Sequence, residues 1–141
     1  MDGAFGISLI TVLAAAIASF VFGGIYYGVL SKPWMKASGM SEADVKDENG
    51  KQPLAPLAIG FISGIVIAYM LAVLLNHTSS DGFTMGSAIF AAFSIWLGFV
   101  LTTQTVNHRY GNRPWSLTII DSAHWLGVLV VQAIVMALMG L

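Results

Sequence analysis

The chain has no cysteine, which excludes disulfides, thiol nucleophiles and thiolate metal sites. It is also poor in charge. Six Lys and Arg against seven Asp and Glu make 9% of its 141 residues charged, with a net charge of −1, where an average soluble domain is roughly a quarter charged. So even a balance argues against nucleic acid as a partner. Catalytic motifs are missing as well. There is no Ser-His-Asp order, no phosphate-binding loop and no dinucleotide fingerprint, and the glycines are spaced for helix packing instead.

What fills the chain is apolar residue, 57% of the total. A bilayer core about 30 Å thick needs roughly 20 apolar residues per helix. Four runs meet this length: Phe5 to Leu30, Leu54 to Asn76, Phe83 to Asn107 and Trp115 to Gly140. The expected fold is all-α, an integral membrane four-helix bundle of two antiparallel hairpins forming a single transmembrane domain over residues 1–141. Connections 31–53 and 108–114 leave no room for a soluble catalytic domain. Ala16-Ile17-Ala18 resembles a signal-peptidase site, but the segment before it carries Asp2 and no Lys or Arg, so this run reads as a retained first helix.

Small residues recur at four-residue spacing, which lets membrane helices approach closely. Helix one has Ala15, Ser19 and Gly23, then Gly24 and Gly28, read as packing within the chain rather than as a homodimer contact. Helix two has Gly60, Gly64, Ala68 and Ala72; helix three has Ser87 and Ala91, and then, after a step of three, Ser94 and Gly98. Tyr26, Tyr27 and Trp34 mark an exit from the bilayer, and Tyr27, Trp34 and Trp115 are expected interface anchors. Pro33-Trp34-Met35-Lys36 reads as a short interfacial helix with its Trp and Met turned into lipid. Ser41 with Asp44 is a capping signal for another short helix ended by Asn49-Gly50, though a solvated loop fits the segment as well. Asn76, His77 and the run to Gly82 form a tight turn in which His77 is simply solvated. Asn112 is available to cap helix four, with Pro114 near its first position.

All six basic residues, Lys32, Lys36, Lys46, Lys51, Arg109 and Arg113, fall in the first and third connections. The positive-inside rule therefore places both in the cytoplasm and both termini outside, which for a bacterial protein means the inner membrane with a periplasmic N-terminus.

Between Asn107 and Trp125 lies the one carboxylate inside an apolar run, Asp121, with His124 and Trp125 at i+3 and i+4 on its face and Gln132 two turns beyond His124. If helices three and four are in register about their turn, Asp121 is level with Thr102 and Thr103. A polar intramembrane cluster of Asp121, His124, Thr102, Thr103, Gln104 and Asn107 follows. Placing an Asp mid-helix costs about 2.5–3.5 kcal/mol on insertion scales, so it should be paired or protonated, with His124, Arg109 or Arg113 as partner. Two readings stand: an interhelical clasp, or a proton relay or polar ligand site open to the cytoplasm. Asp121 and His124 alone do not make a metal site, and His77 and His108 fall on opposite faces, so no metal and no cofactor is expected.

Gly24-Ile-Tyr-Tyr-Gly28 followed by Lys32-Pro-Trp-Met-Lys36, with Trp96-Leu-Gly-Phe99 leading through Thr103 and Asn107 to Arg113, Asp121 and His124, resembles a bacterial membrane family, domain of unknown function 1761. The resemblance spans nearly the whole chain. It differs by a longer charged first connection and by Ser122-Ala123-His124 after the Asp. It implies four helices, an inner-membrane location and no assigned activity, with no catalytic residues to carry over. The leading expectation is a non-enzymatic accessory or structural subunit of a membrane complex, or a self-associating bundle, with lipid and membrane subunits as partners. Transport of a proton or small polar solute at Asp121 and His124 is the alternative, and a lipid enzyme using the same two residues ranks last.

Overall fold

The computed structural model describes residues 4–78 and 82–141. Asp2, and Ser79 to Asp81 of the expected second turn, lie outside the described residues. A 3-10 turn, Ala4–Gly6, precedes α1 (Leu9–Val29); α2 (Ser31–Ser38) and α3 (Glu42–Val45) fill the first connection. Then come α4 (Leu54–Thr78), α5 (Met85–Ile95), a π-helical segment (Trp96–Leu101), α6 (Thr102–Tyr110) and α7 (Trp115–Met139). No strand occurs among the described residues. Four helical stretches are long and apolar enough to cross a membrane: Leu9–Val29, Leu54–Thr78, Met85–Tyr110 and Trp115–Met139. This is a multi-pass membrane architecture, and apolar side chains such as Phe90, Phe99 and Ile25 point outward from it.

The boundaries differ from the sequence reading where polar groups decide them. Helix one starts at Leu9 rather than Phe5, because Phe5 and Gly6 hold left-handed backbone (φ 68° each) and Ser8 accepts the Thr11 N–H at 3.3 Å. The third span runs three residues past Asn107, to Tyr110, since its polar end keeps helical geometry. Helix α2 stops at Gly39, whose φ of 75° suits a residue without Cβ and whose N–H bonds the Met35 carbonyl. Asn112 is not a cap: it takes left-handed backbone (φ 52°) in the turn, and Pro114 sits at the N-cap without a side-chain bond.

Around Ser41 the capping box forms, with the Asp44 carboxylate accepting from the Ser41 N–H at 2.7 Å and hydroxyl at 2.6 Å. These bonds hold the Asp44 carboxyl below its ordinary pKa. A depressed folded value means that the bonds stabilise α3 above the unfolded pKa and are lost as pH falls through the folded one. NMR of Ser41 and Asp44 should show the Ser41 amide losing its protection together with Asp44 protonation, and an amide indifferent to that titration would refute the link.

Helix α7 is central, packing along α1 and α5 and also against α4. The core is built from alanines, Ala15, Ala16, Ala68, Ala72, Ala88, Ala92 and Ala133, all fully buried, with Leu71, Leu75, Leu129 and Met136 between them. Small side chains bring the backbones together and so gain dispersion contacts that lipid cannot supply. The expected stripes hold in part. Ala15, Ser19 and Gly23 face inward, as do Gly64, Ala68 and Ala72. On the third span the buried positions are Ala88 and Ala92, one residue on from the expected Ser87 and Ala91, and Ser87, Ser94 and Gly98 are exposed.

The glycine contacts correct the sequence reading further. A Cβ added at Gly24, Gly28, Gly60, Gly64 or Gly98 meets nothing within 4 Å, so none of these marks a close approach within the chain. The close approaches are at Gly23, where a Cβ would lie 2.9 Å from His124 Nε2, and at Gly127, where it would lie 2.2 Å from the Phe22 ring. Midway along the bundle, fully buried Gln132 of α7 donates to Ser19 Oγ (3.0 Å) and the Gly64 carbonyl (3.1 Å), joining α7 to α1 and α4.

Candidate functional site

Asp121 lies six residues into α7, and its surroundings come from helix one and the first connection. Tyr27, near the end of α1, donates its hydroxyl to Asp121 Oδ1 at 2.8 Å. Helix α2 begins one residue after α1 ends, and this carries the Trp34 indole back so that Nε1 donates to the same oxygen at 3.1 Å. The other oxygen, Oδ2, faces His108 Nε2 at 3.9 Å. Both side chains keep about one-fifth of their surface exposed, 20% for Asp121 and 19% for His108. Two donors on one carboxylate oxygen and an imidazole near the other supply the compensation that a carboxylate in a membrane helix needs.

A second layer holds these groups in place. His108 Nδ1 lies 2.9 Å from Thr118 Oγ1, and Arg109 Nη2 donates to the same hydroxyl at 2.8 Å. The Arg109 guanidinium is stacked 3.8 Å from the centre of the Trp115 ring. Arg113 donates to the Ser38 carbonyl at the end of α2 (3.2 Å), where a cation also favours the helix dipole. Tyr26 donates to the Ile120 carbonyl at 2.8 Å and Trp96 to that of Ser122 at 2.7 Å, clamping the backbone on both sides of Asp121.

His124 belongs to the same region without bonding to Asp121. Its ring lies among aromatic rings, 4.7 Å from Tyr27, 5.0 Å from Trp125, 5.6 Å from Tyr26 and stacked at 6.3 Å on Phe22. Its Nδ1 is buried without a partner among the described residues. Among the described residues no three His, Asp or Glu side chains are grouped to hold a metal.

The expected cluster therefore assembles differently. Thr102 and Thr103 are exposed and donate to carbonyls of their own helix, at Gly98, Phe99 and Val100. Asn107 is exposed, and Gln104 Oε1 is buried without a partner among the described residues. Neither arginine pairs with Asp121, so the two are more than topological markers: each ties the third connection to another element. Trp34 is not turned into lipid and Tyr27 is not only an anchor, since both bond to the carboxylate. His108 and Thr118 were missed as site residues. The signal available for Tyr27 and Trp34 was chemical rather than positional: a phenol near the end of helix one and an indole in the first connection are donors that a carboxylate near the start of helix four can use.

Of these residues, Tyr26, Tyr27, Trp34, Trp96, Arg113, Asp121 and His124 occupy positions that carried the family likeness. The family described as "Protein of unknown function (DUF1761)" matches residues 10–137. The chain belongs to this family. The matched range takes in nearly all of the four spans of this DUF1761 protein and every residue bonded to Asp121. No curated protein and no solved structure matches the chain.

Proposed function

We propose that this DUF1761 protein is a non-enzymatic membrane subunit that works by helix association, with a partner subunit or with its own copies, through the outward face of the third span. The observation that carries the reading is the exposed polar face of the third span, Thr102, Thr103 and Asn107, beside which the half-buried Gln104 amide makes no hydrogen bond among the described residues. A primary amide in lipid lacks the water that would satisfy it, so a hydrogen-bonding neighbour helix stabilises it. The same span exposes Gly98, Thr102, Thr103 and Asn107, and it is the least covered of the four.

In this reading the two hairpins are antiparallel, both termini lie outside and both basic connections are cytoplasmic. Support comes from contacts at each end. The Asn76 amide at the end of α4 donates to the Phe5 carbonyl at 3.1 Å, while Arg113 meets Ser38 between the two basic connections. With the asymmetry of six basic residues to none, a bacterial inner membrane fits best.

The absence of cysteine makes the test clean. Thr103→Cys and Phe99→Cys should cross-link in native membranes, whereas Val66→Cys on the outer face of α4 should not. Gln104→Leu should weaken association about threefold or more. A strictly monomeric particle, without cross-link or copurifying subunit, would overturn the reading.

The exposed fifth of Asp121 beside His108 favours a second reading, passage of a proton or small polar solute. Proteoliposome uptake should then collapse in Asp121→Asn and His124→Ala, and an unchanged rate in both would sink it.

A further inference from the structure

Between α2 and the start of α7 lies a cleft of about 430 Å³ lined by Pro33, Lys36, Ala37, Pro114, Ser116 and Ile120. None of the described groups bonding to Asp121 except the α2 backbone of Trp34 adjoins it in sequence, and no carboxylate lines it. Its walls are mixed: Pro33, Ala37, Pro114 and Ile120 are apolar, while Lys36 and Ser116 bring an ammonium and a hydroxyl.

The cations around this end differ in what they do. Arg113 is committed to the Ser38 carbonyl, Arg109 to Thr118 and the Trp115 ring, and Lys46 to Glu42 at 3.4 Å. Lys36 has no hydrogen bond or ion pair among the described residues, and it lines the cleft. The depth is set by the fold, since Trp115 begins a span of 25 residues and Ser116 is its second residue, which places the cleft at a membrane surface. Basic pockets at that level suit lipid head groups, because the phosphate meets the cation while the glycerol and upper acyl chain meet apolar wall.

From the cleft, its charge and its depth we infer that it seats the head group of an anionic phospholipid, with the phosphate on Lys36 and Ser116 and the acyl chains running down past Ile120. The occupant is a lipid rather than a soluble anion because four of the six lining residues are apolar and the cleft opens where lipid is the solvent. Helix α2 thereby gains a role beyond delivering Trp34: it forms one wall of a lipid site. The inference needs only the membrane placement of α7 and is independent of association through the third span.

Native mass spectrometry of the detergent-solubilised protein, titrated with phosphatidylglycerol or phosphatidylcholine, tests it. The wild type should retain phosphatidylglycerol several-fold more tightly. Lys36→Gln should reduce that preference about fivefold, the factor expected for one cation at an anionic surface. Ser116→Phe, filling the cleft, should lower retention of both lipids, and Lys46→Gln, which removes an exposed charge elsewhere in the same connection, should change nothing. Equal retention of the two lipids, a Lys36→Gln protein indistinguishable from wild type, or displacement of the lipid by millimolar inorganic phosphate would each overturn the assignment. Cross-linking through the third span should be unaffected by Lys36→Gln, which separates failure here from failure of the association reading.

Discussion

Asp121→Ala should destabilise the protein by about 2 kcal/mol, and Asp121→Asn by about half as much. Hydrogen bonds between membrane helices average below 1 kcal/mol, while those to a charged acceptor reach about 1.5–3 kcal/mol. Here one oxygen accepts from both Tyr27 and Trp34, so the alanine variant leaves a phenol and an indole without their partner. The asparagine keeps an acceptor oxygen but loses the charge. Equilibrium unfolding in mixed micelles, followed by tryptophan fluorescence, would measure both. The double variant Tyr27→Phe with Asp121→Ala should cost less than the sum of its parts, because each change removes the same bond. Strict additivity would show that Tyr27 and Asp121 do not stabilise the native state together.

Gly127→Leu should cost more, about 3 kcal/mol, through overpacking of the α1 to α7 contact. A Cβ at this position would lie 2.2 Å and 2.4 Å from two Phe22 ring atoms, and that ring has little room to retreat, being stacked on His124 and set against Tyr26. Phe22→Ala in the Gly127→Leu background should recover a large part of the loss, since it removes the atoms the leucine strikes. Gly24→Ala and Gly28→Ala should do the reverse and stabilise by a few tenths of a kcal/mol or more, as nothing lies near their added methyls and alanine is the better helix former. If Gly28→Ala proved as damaging as Gly127→Leu, a neighbour outside this chain would have to be packed against it.

Much of the fold was legible because lipid imposes a length requirement that composition alone can meet. The four apolar runs match the four spans within a few residues, and the misses at Phe5 and Asn107 come from local polar effects: a left-handed turn with the Ser8 cap at one, threonines that stay helical by bonding their own turn at the other. The candidate site was half legible. A carboxylate in an apolar run identifies itself, since its insertion cost demands compensation whatever surrounds it. Its partners did not, because register was counted against helix three, the neighbour in sequence. Helix α7 instead packs extensively on α1, which presents Tyr27 and, through α2, Trp34.

The same distinction runs through the small residues. Periodicity marked Gly23 along with Gly24, Gly28, Gly60 and Gly98 as able to admit a close neighbour, yet of these only Gly23 does, against His124, while Gly127, which periodicity did not mark, meets Phe22. Sequence by itself determined the number of spans, the segregation of basic residues and the need of Asp121 for partners, because each follows from the transfer energetics of single residues or runs. Tertiary structure alone decided which helix supplies the donors to Asp121, that Gln132 joins three helices while Gln104 Oε1 has no partner among the described residues, and that Lys36 borders a cleft. Those outcomes depend on the rotation of each helix about its axis, which the packing of side chains from distant parts of the chain sets jointly.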